Sequence, residues 1–200
     1  MKPYSESCDQ NQDPILEVIQ PYFSDLKTVL EIGSGTGQHA VFFAEKMPHL
    51  HWQTSDQAQY HEGINAWLND SALTNIAAPI HLNVDQDDWG IQATDAVFSA
   101  NTVHIMSWKS AINLFKGVGK LLSSGGYFCL YGPFNYDGQF TSESNARFDV
   151  WLKQRDSNSG VRDFEAVNTE AEKAGLKLIM DHTMPANNRI LVWQKQSLPR

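Results

Sequence analysis

Cysteine is scarce in this chain, and its two copies, Cys8 and Cys129, cannot build a disulfide framework. Cys129 lies in the apolar run at 127–131, where a small buried thiol is expected, so neither disulfide nor thiol chemistry is assigned. Long apolar runs are missing as well. None approaches the ~20 residues of a membrane helix, and Met1-Lys2-Pro3-Tyr4-Ser5-Glu6 has no hydrophobic signal core, so a cytoplasmic protein away from membranes is expected. Positive charge is in deficit, with 15 Lys and Arg against 23 Asp and Glu and a net charge of −8. Nucleic-acid phosphates normally recruit clustered cations, so a small-molecule partner is favoured and no nucleic acid is expected. Metal-ligand spacings are absent too. His49 and His51 share a strand face without a completing Cys, His or acid, there is no His-Glu-x-x-His, and Asp85-Gln86-Asp87-Asp88 lacks the calcium-loop pattern. Nothing in the sequence fixes the oligomeric state.

What is present begins at residues 28–38, Thr-Val-Leu-Glu-Ile-Gly-Ser-Gly-Thr-Gly-Gln. Val29, Leu30 and Ile32 suit a buried parallel strand, and Gly33, Gly35 and Gly37 remove Cβ atoms where backbone would approach a ligand. The spacing narrows the ligand. A dinucleotide fingerprint needs its third glycine where Gln38 stands, and no Gly-Lys-Ser/Thr follows to make a phosphate-cradling loop. The remaining pattern, Glu31-x-Gly33-Ser34-Gly35-x-Gly37, resembles the first motif of class I S-adenosylmethionine-dependent methyltransferases.

Two hundred residues make one domain of ordinary size. Asp13-Pro14 reads as the start of an amphipathic helix with Ile15, Val18, Ile19 and Tyr22 on one side, within an N-terminal helical cap of about residues 1–25. Helices are expected near 38–47, 58–69, after Ser107, and near 163–174. Strands are expected at 51–54, 80–84, 95–100 and 127–131, with a closing pair at 176–180 and 190–193. Ser123-Ser124-Gly125-Gly126 reads as the end of one helix and the launch of a strand. Such alternation predicts an α/β fold with a mainly parallel sheet and helices on both faces. Residues 133–162 break the rhythm and read as a lid-like insertion over the carboxyl edge of the sheet.

Ligands of this fold class bind beyond the carboxyl ends of the strands. Asp56 stands near the distance past the glycines at which an acid accepts from ribose hydroxyls. Asp85 is a candidate for an adenine amino group, Trp89 for the face of the ring, and Asn101 for the border between cofactor and acceptor. Glu31 is placed to orient the turn or to accept, through water, from the cofactor's ammonium. Any one acid at a strand end is commonly a solvated turn or cap; the series is what carries the reading.

His104, following Asn101, is the best candidate base, set against a packed histidine as the commoner role. Tyr131 could orient an acceptor or be half-buried packing. The insertion offers Tyr136, Asn145, Arg155 and Arg162 beside several aromatics. Either arginine could fork onto a carboxylate or phosphate, or pair with Asp156 or Asp163 on the surface. Asn187 and Asn188, in the turn from Pro185, rank below Asn101.

Several longer segments carry a closer resemblance. Asn101-x-x-His104-Ile105-x-x-Trp108, Ser144-Asn145-x-x-Phe148-Asp149-x-Trp151-Leu152 with Arg155-Asp156, and Met184-Pro185-Ala186-Asn187-Asn188 are similar to segments of the methyltransferase-like protein 26 family, a largely uncharacterised group. The chain departs at residues 157–162, where the family pattern has a tryptophan before the glycine. The resemblance implies a Rossmann-like class I methyltransferase fold: a mainly parallel seven-stranded sheet with an antiparallel C-terminal strand, binding S-adenosylmethionine. It implies no particular acceptor. A methyltransferase acting on a small molecule is the first reading, and a catalytically silent cofactor-binding or adaptor protein the second. Methyl transfer asks mainly for geometry, so a catalytic base is optional.

Overall fold

The computed structural model of the protein describes residues 2–197. Chain order runs α1 (Glu6–Phe23), β1 (Thr28–Ile32), α2 (Gln38–Lys46), β2 (His51–Asp56), α3 (His61–Ser71), β3 (Ile76–His81), β4 (Thr94–Ala100) and α4 (Trp108–Leu121). It continues with β5 (Leu122–Gly132), β6 (Phe134–Asn135), α5 (Glu143–Arg155), β7 (Arg162–Asp163), α6 (Phe164–Lys173), β8 (Leu176–Met184) and β9 (Asn188–Lys195). The main sheet has seven strands in the order β3-β2-β1-β4-β5-β9-β8. Strands β1 to β5 pair parallel, and β9 runs antiparallel to both β5 and β8. This is the class I methyltransferase architecture. Its order reverses between β1 and β4, which opens a crevice at their carboxyl ends.

Burial follows the apolar patterning. Ala111, Leu114, Phe115 and Val118 of α4 pack with Val97, Phe128 and Trp193 on one face of the sheet. On the other face Ile15, Ile19 and Phe23 of α1 join Ala40 and Phe43 of α2 against Phe98 and Val192. No helix among the described residues is long and apolar enough to cross a membrane.

Several boundaries differ from the sequence reading, and residues 143–155 of the expected insertion form α5; three of the differences have a clear physical reason. Helix α1 starts at Glu6, eight residues before Pro14, which lies inside it together with Pro21. Each proline removes one helical hydrogen bond, but the early turn is held from outside: the Gln38 side-chain amide donates to the Ser5 carbonyl (3.2 Å) and to Asp9 Oδ1 (3.2 Å). Strand β3 occupies Ile76–His81 rather than 80–84. Its Ala-Ala-Pro centre lacks β-branched side chains and hid the signal; Pro79 is tolerated because β3 is an edge strand. Residues 123–126 belong to β5, looped out where its register with β4 jumps from Thr94↔Leu122 to Ala96↔Tyr127.

Candidate active site

A cleft of about 680 Å³ opens at the carboxyl ends of β1, β2 and β4, lined by Gly33, Ser34, Gly35, Asp56, Asp85, Asn101, His104 and Arg155, among others. Its floor is the glycine turn. Backbone N–H groups of Gly33 and Ser34 donate to the Ser55 carbonyl (3.0 and 2.9 Å), tying the turn to the end of β2. Gly33 and Gly35 take φ of +77° and +57°, the left-handed region that favours glycine. A Cβ on Gly33 would meet Thr102 Cγ2 at 2.6 Å, whereas one on Gly35 meets nothing within 4 Å. The bare face at Gly35 is therefore open space beside the cleft. Gly37 has another task, since it starts α2 at φ +91° and lies against Ile64 of α3.

Beneath the turn Glu31 is only 2 % exposed. Its Oε2 accepts from Ser34 Oγ (2.8 Å) and Trp52 Nε1 (3.2 Å). Burial outweighs these bonds and pushes the carboxyl up to about 7, with the neighbouring Asp56 charge adding to the rise. Asp56 binds the turn directly: Oδ2 accepts from Gly35 N–H (2.8 Å) and Oδ1 from Gln57 N–H (2.7 Å). Each oxygen keeps a lone pair for a further donor.

His104 follows β4 and Asn101, whose φ of +58° turns the chain sharply at the strand end. The histidine is 4 % exposed, stands edge-on to Phe148 with centroids 5.2 Å apart, and has a buried Nδ1 without a hydrogen-bond partner. Burial first, and the nearby Arg162 charge second, hold its pKa down at about 4, so the ring is neutral at physiological pH.

Of the other candidates, Asp85 and Arg155 reach the cleft and the rest do not line it. Asp85 reaches the cleft from the loop after β3 and is engaged by Ser110 Oγ (3.0 Å) and Asn113 Nδ2 (2.9 Å) of α4. Trp89 is not among the lining residues; its indole covers Gly117 of α4, where a Cβ would come within 2.0 Å of the ring. Tyr131 is 3 % exposed and packs under α1. Tyr136 donates to Asp181 (2.7 Å) and stacks on Phe164. Asn145 donates to the Asn187 carbonyl (3.1 Å), and Asn188 donates to the Pro185 carbonyl (3.2 Å), so these asparagines secure the turn between β8 and β9. Among the described residues Arg162 pairs with no acid. It donates to the carbonyls of Val103 (3.3 Å), Met106 and Asn158 (2.8 Å), and so braces the segment that carries His104.

Sequence reasoning missed the contribution of α1. Ser5, Ser7 and Cys8 form part of the cleft wall, as does His39 of α2. His39 is bonded through Nε2 to Asn11 (2.6 Å), and burial holds its pKa down at about 4. The only sequence signal for this wall was polar composition, which a leader peptide would share. Where the resembling family has a tryptophan, Ser159 donates to the Ile105 carbonyl (3.2 Å) instead.

Solved structures share this fold. An O-methyltransferase family protein from Burkholderia thailandensis is similar with a TM-score of 0.80 at 16% identity, covering 96% of this chain and 60% of that one. Human N-acetylserotonin methyltransferase in complex with SAM matches with a TM-score of 0.80 at 13% identity, covering 96% of this chain and 53% of that one. This chain thus spans little more than half the length of either protein. A family model described as "Protein of unknown function (DUF938)" matches residues 2–195, nearly the whole chain, and the protein belongs to that family.

Proposed function

We propose that the protein is an S-adenosylmethionine-dependent methyltransferase acting on a small molecule, of the methyltransferase-like protein 26 kind and cytoplasmic. The observation that carries this reading is the glycine turn, open at Gly35 and braced by Glu31 and Asp56, on a cleft at the switch point of a methyltransferase-type sheet. The residues present fit the cofactor. Gly33, Ser34 and Gly35 would receive its methionine and ribose portion, the spare lone pairs of Asp56 the ribose hydroxyls, and Glu31, beneath the turn, would orient it or accept from the ammonium through water. Asp85 and Asn101 would border the base and the acceptor. Bound there, the cofactor supplies a methyl group already activated by a sulfonium. The chain acts as one domain whose N-terminal helix and insertion at 133–162 wall the cleft.

Since His104 is neutral at pH 7, its ring could take a proton from an acceptor as the new bond to carbon forms. With a pKa of about 4 it is a weak base. Most of the rate must then come from holding the acceptor in line, where effective-molarity gains of about 7–11 kcal/mol are available. That weak basicity also favours the second reading, a silent cofactor-binding protein. Calorimetry with S-adenosylhomocysteine on folded protein tests the donor side, and absence of both heat and thermal stabilisation overturns it. Incubation with methyl-labelled cofactor and fractionated small-molecule extract separates enzyme from silent binder, since only the enzyme yields a labelled product.

A further inference from the structure

At the rim of the cleft beyond His104, α5 presents Phe148, Trp151 and Arg155 at helical spacing on one face. The Phe148 and Trp151 rings lie nearly parallel, 18° apart with centroids separated by 5.7 Å. The Arg155 guanidinium sits over the Trp151 ring at 4.7 Å. Trp151 is 47% exposed, and Ile105, which shares this cleft, is 56% exposed. The backbone at Ile105 is held on both sides, its N–H donating to the Thr102 carbonyl (3.0 Å) and its carbonyl accepting from Ser159 Oγ (3.2 Å).

Charge distinguishes this rim from the rest of the cleft. Among the described residues Arg155 is the only lysine or arginine lining it. On the same helix Lys153 pairs with Asp149 at 2.7 Å and Arg147 with Glu143 at 3.6 Å, whereas Arg155 has no carboxylate partner among the described residues. The cleft's carboxylates, Asp56 and Asp85, are held by the bonds to the glycine turn and to α4 already described. An apolar rim carrying one planar cation without a carboxylate partner matches a flat apolar ligand with one anionic group. The cleft volume, about 680 Å³, lies in the upper part of the usual small-ligand range of about 300–1,000 Å³ and leaves room for a second ligand beside a nucleoside.

We propose that this rim is the acceptor subsite and that it takes aromatic acids, the ring packing against Ile105 and the exposed edge of Trp151 and the carboxylate on Arg155. Its role as an acceptor site rests on the methyltransferase reading; its preference for aromatic acids can be measured without it. A ligand so placed presents its far end to His104.

The test is a charge series on one ring: 4-hydroxyphenylacetate, its neutral amide, and tyramine, with 6-hydroxyhexanoate as the acid without a ring. Each is titrated calorimetrically with and without S-adenosylhomocysteine. The acid should bind at least about tenfold more tightly than the amide or the amine, as loss of a charge-assisted bidentate pair requires, and more tightly than the aliphatic acid. Arg155→Gln should erase the acid preference, Arg155→Lys should restore only part of it, and Trp151→Ala should erase the ring preference. All three variants should keep the wild-type melting temperature and affinity for S-adenosylhomocysteine. Equal affinities across the ring series, or a preference surviving in Arg155→Gln, would overturn the proposal. So would a loss of S-adenosylhomocysteine affinity in Arg155→Gln, which would assign the guanidinium to the donor. Failure of the folded wild type to bind S-adenosylhomocysteine would instead refute the donor reading, while the charge series still reports on the rim.

Discussion

If Glu31 receives a ligand ammonium, binding must be linked to its ionisation. Burial raises the carboxyl from its ordinary 4.5 to about 7, so at pH 5.5 only about 3% of the free protein carries the charge, against roughly three-quarters at pH 7.5. A ligand that requires the ionised form should therefore bind about 25-fold more weakly at pH 5.5, a difference of about 2 kcal/mol. Close to one proton should be released per ligand at the lower pH. His39 and His104, held at about 4, stay mostly neutral across this window, and because burial also raises the Asp56 carboxyl, the comparison with Glu31→Gln is what assigns the linkage to Glu31. Titration with S-adenosylhomocysteine in buffers of different ionisation heat counts those protons. Glu31→Gln is a close stand-in for the neutral acid, because both hydrogen bonds, from Ser34 and Trp52, fall on one oxygen. The variant should bind weakly with a flat pH profile.

Stability should move the opposite way. The raised folded pKa contributes stability that is full below 4.5 and lost as pH rises through about 7. The stability of wild type relative to Glu31→Gln should thus fall by about 3 kcal/mol over that range, as urea unfolding would measure. Identical pH profiles for the two proteins, or no proton released at pH 5.5, would refute the role given to Glu31.

Two further substitutions separate ligand space from packing. Gly35→Val should abolish S-adenosylhomocysteine binding by filling open space beside the cleft. The left-handed φ of +57° should cost the fold only about 1–2 kcal/mol in thermal unfolding, and retained affinity would mean the turn does not hold the ligand. Gly117→Ala should destabilise by about 1–3 kcal/mol through overpacking against Trp89, without changing ligand affinity. The penalty should shrink in the Trp89→Ala background; a penalty undiminished there would show that the clash lies elsewhere.

The sequence was most legible where a side chain's task is local. Apolar periodicity located most helices and strands, though not α5 inside the expected insertion, and three alternating glycines after a buried acid marked the turn and the sheet edge it opens on. Asp56, Asn101 and His104 could be placed on the cleft because Asp56 ends one parallel strand and the other two lie within a few residues of the end of another. Trp89 and Tyr131 could not be resolved in this way. The loop after β3 has no period, and only the bare surface of Gly117 shows why the Trp89 indole turns away from the cleft. Tyr131 ends on the side of β5 that faces α1, a placement set by strand register.

What the sequence determined by itself, therefore, is the alternation of strand and helix and the chemistry of the glycine turn, because both rest on neighbours within a few residues. Tertiary structure alone decided which polar groups share the cleft. It brought Ser5 and Cys8 of α1 across to the glycine turn, gave Arg162 to the carbonyls around His104, and left Arg155 unpaired over Trp151. Those outcomes depend on distant segments competing for the same partners, and that competition is resolved only when the sheet and helices have packed.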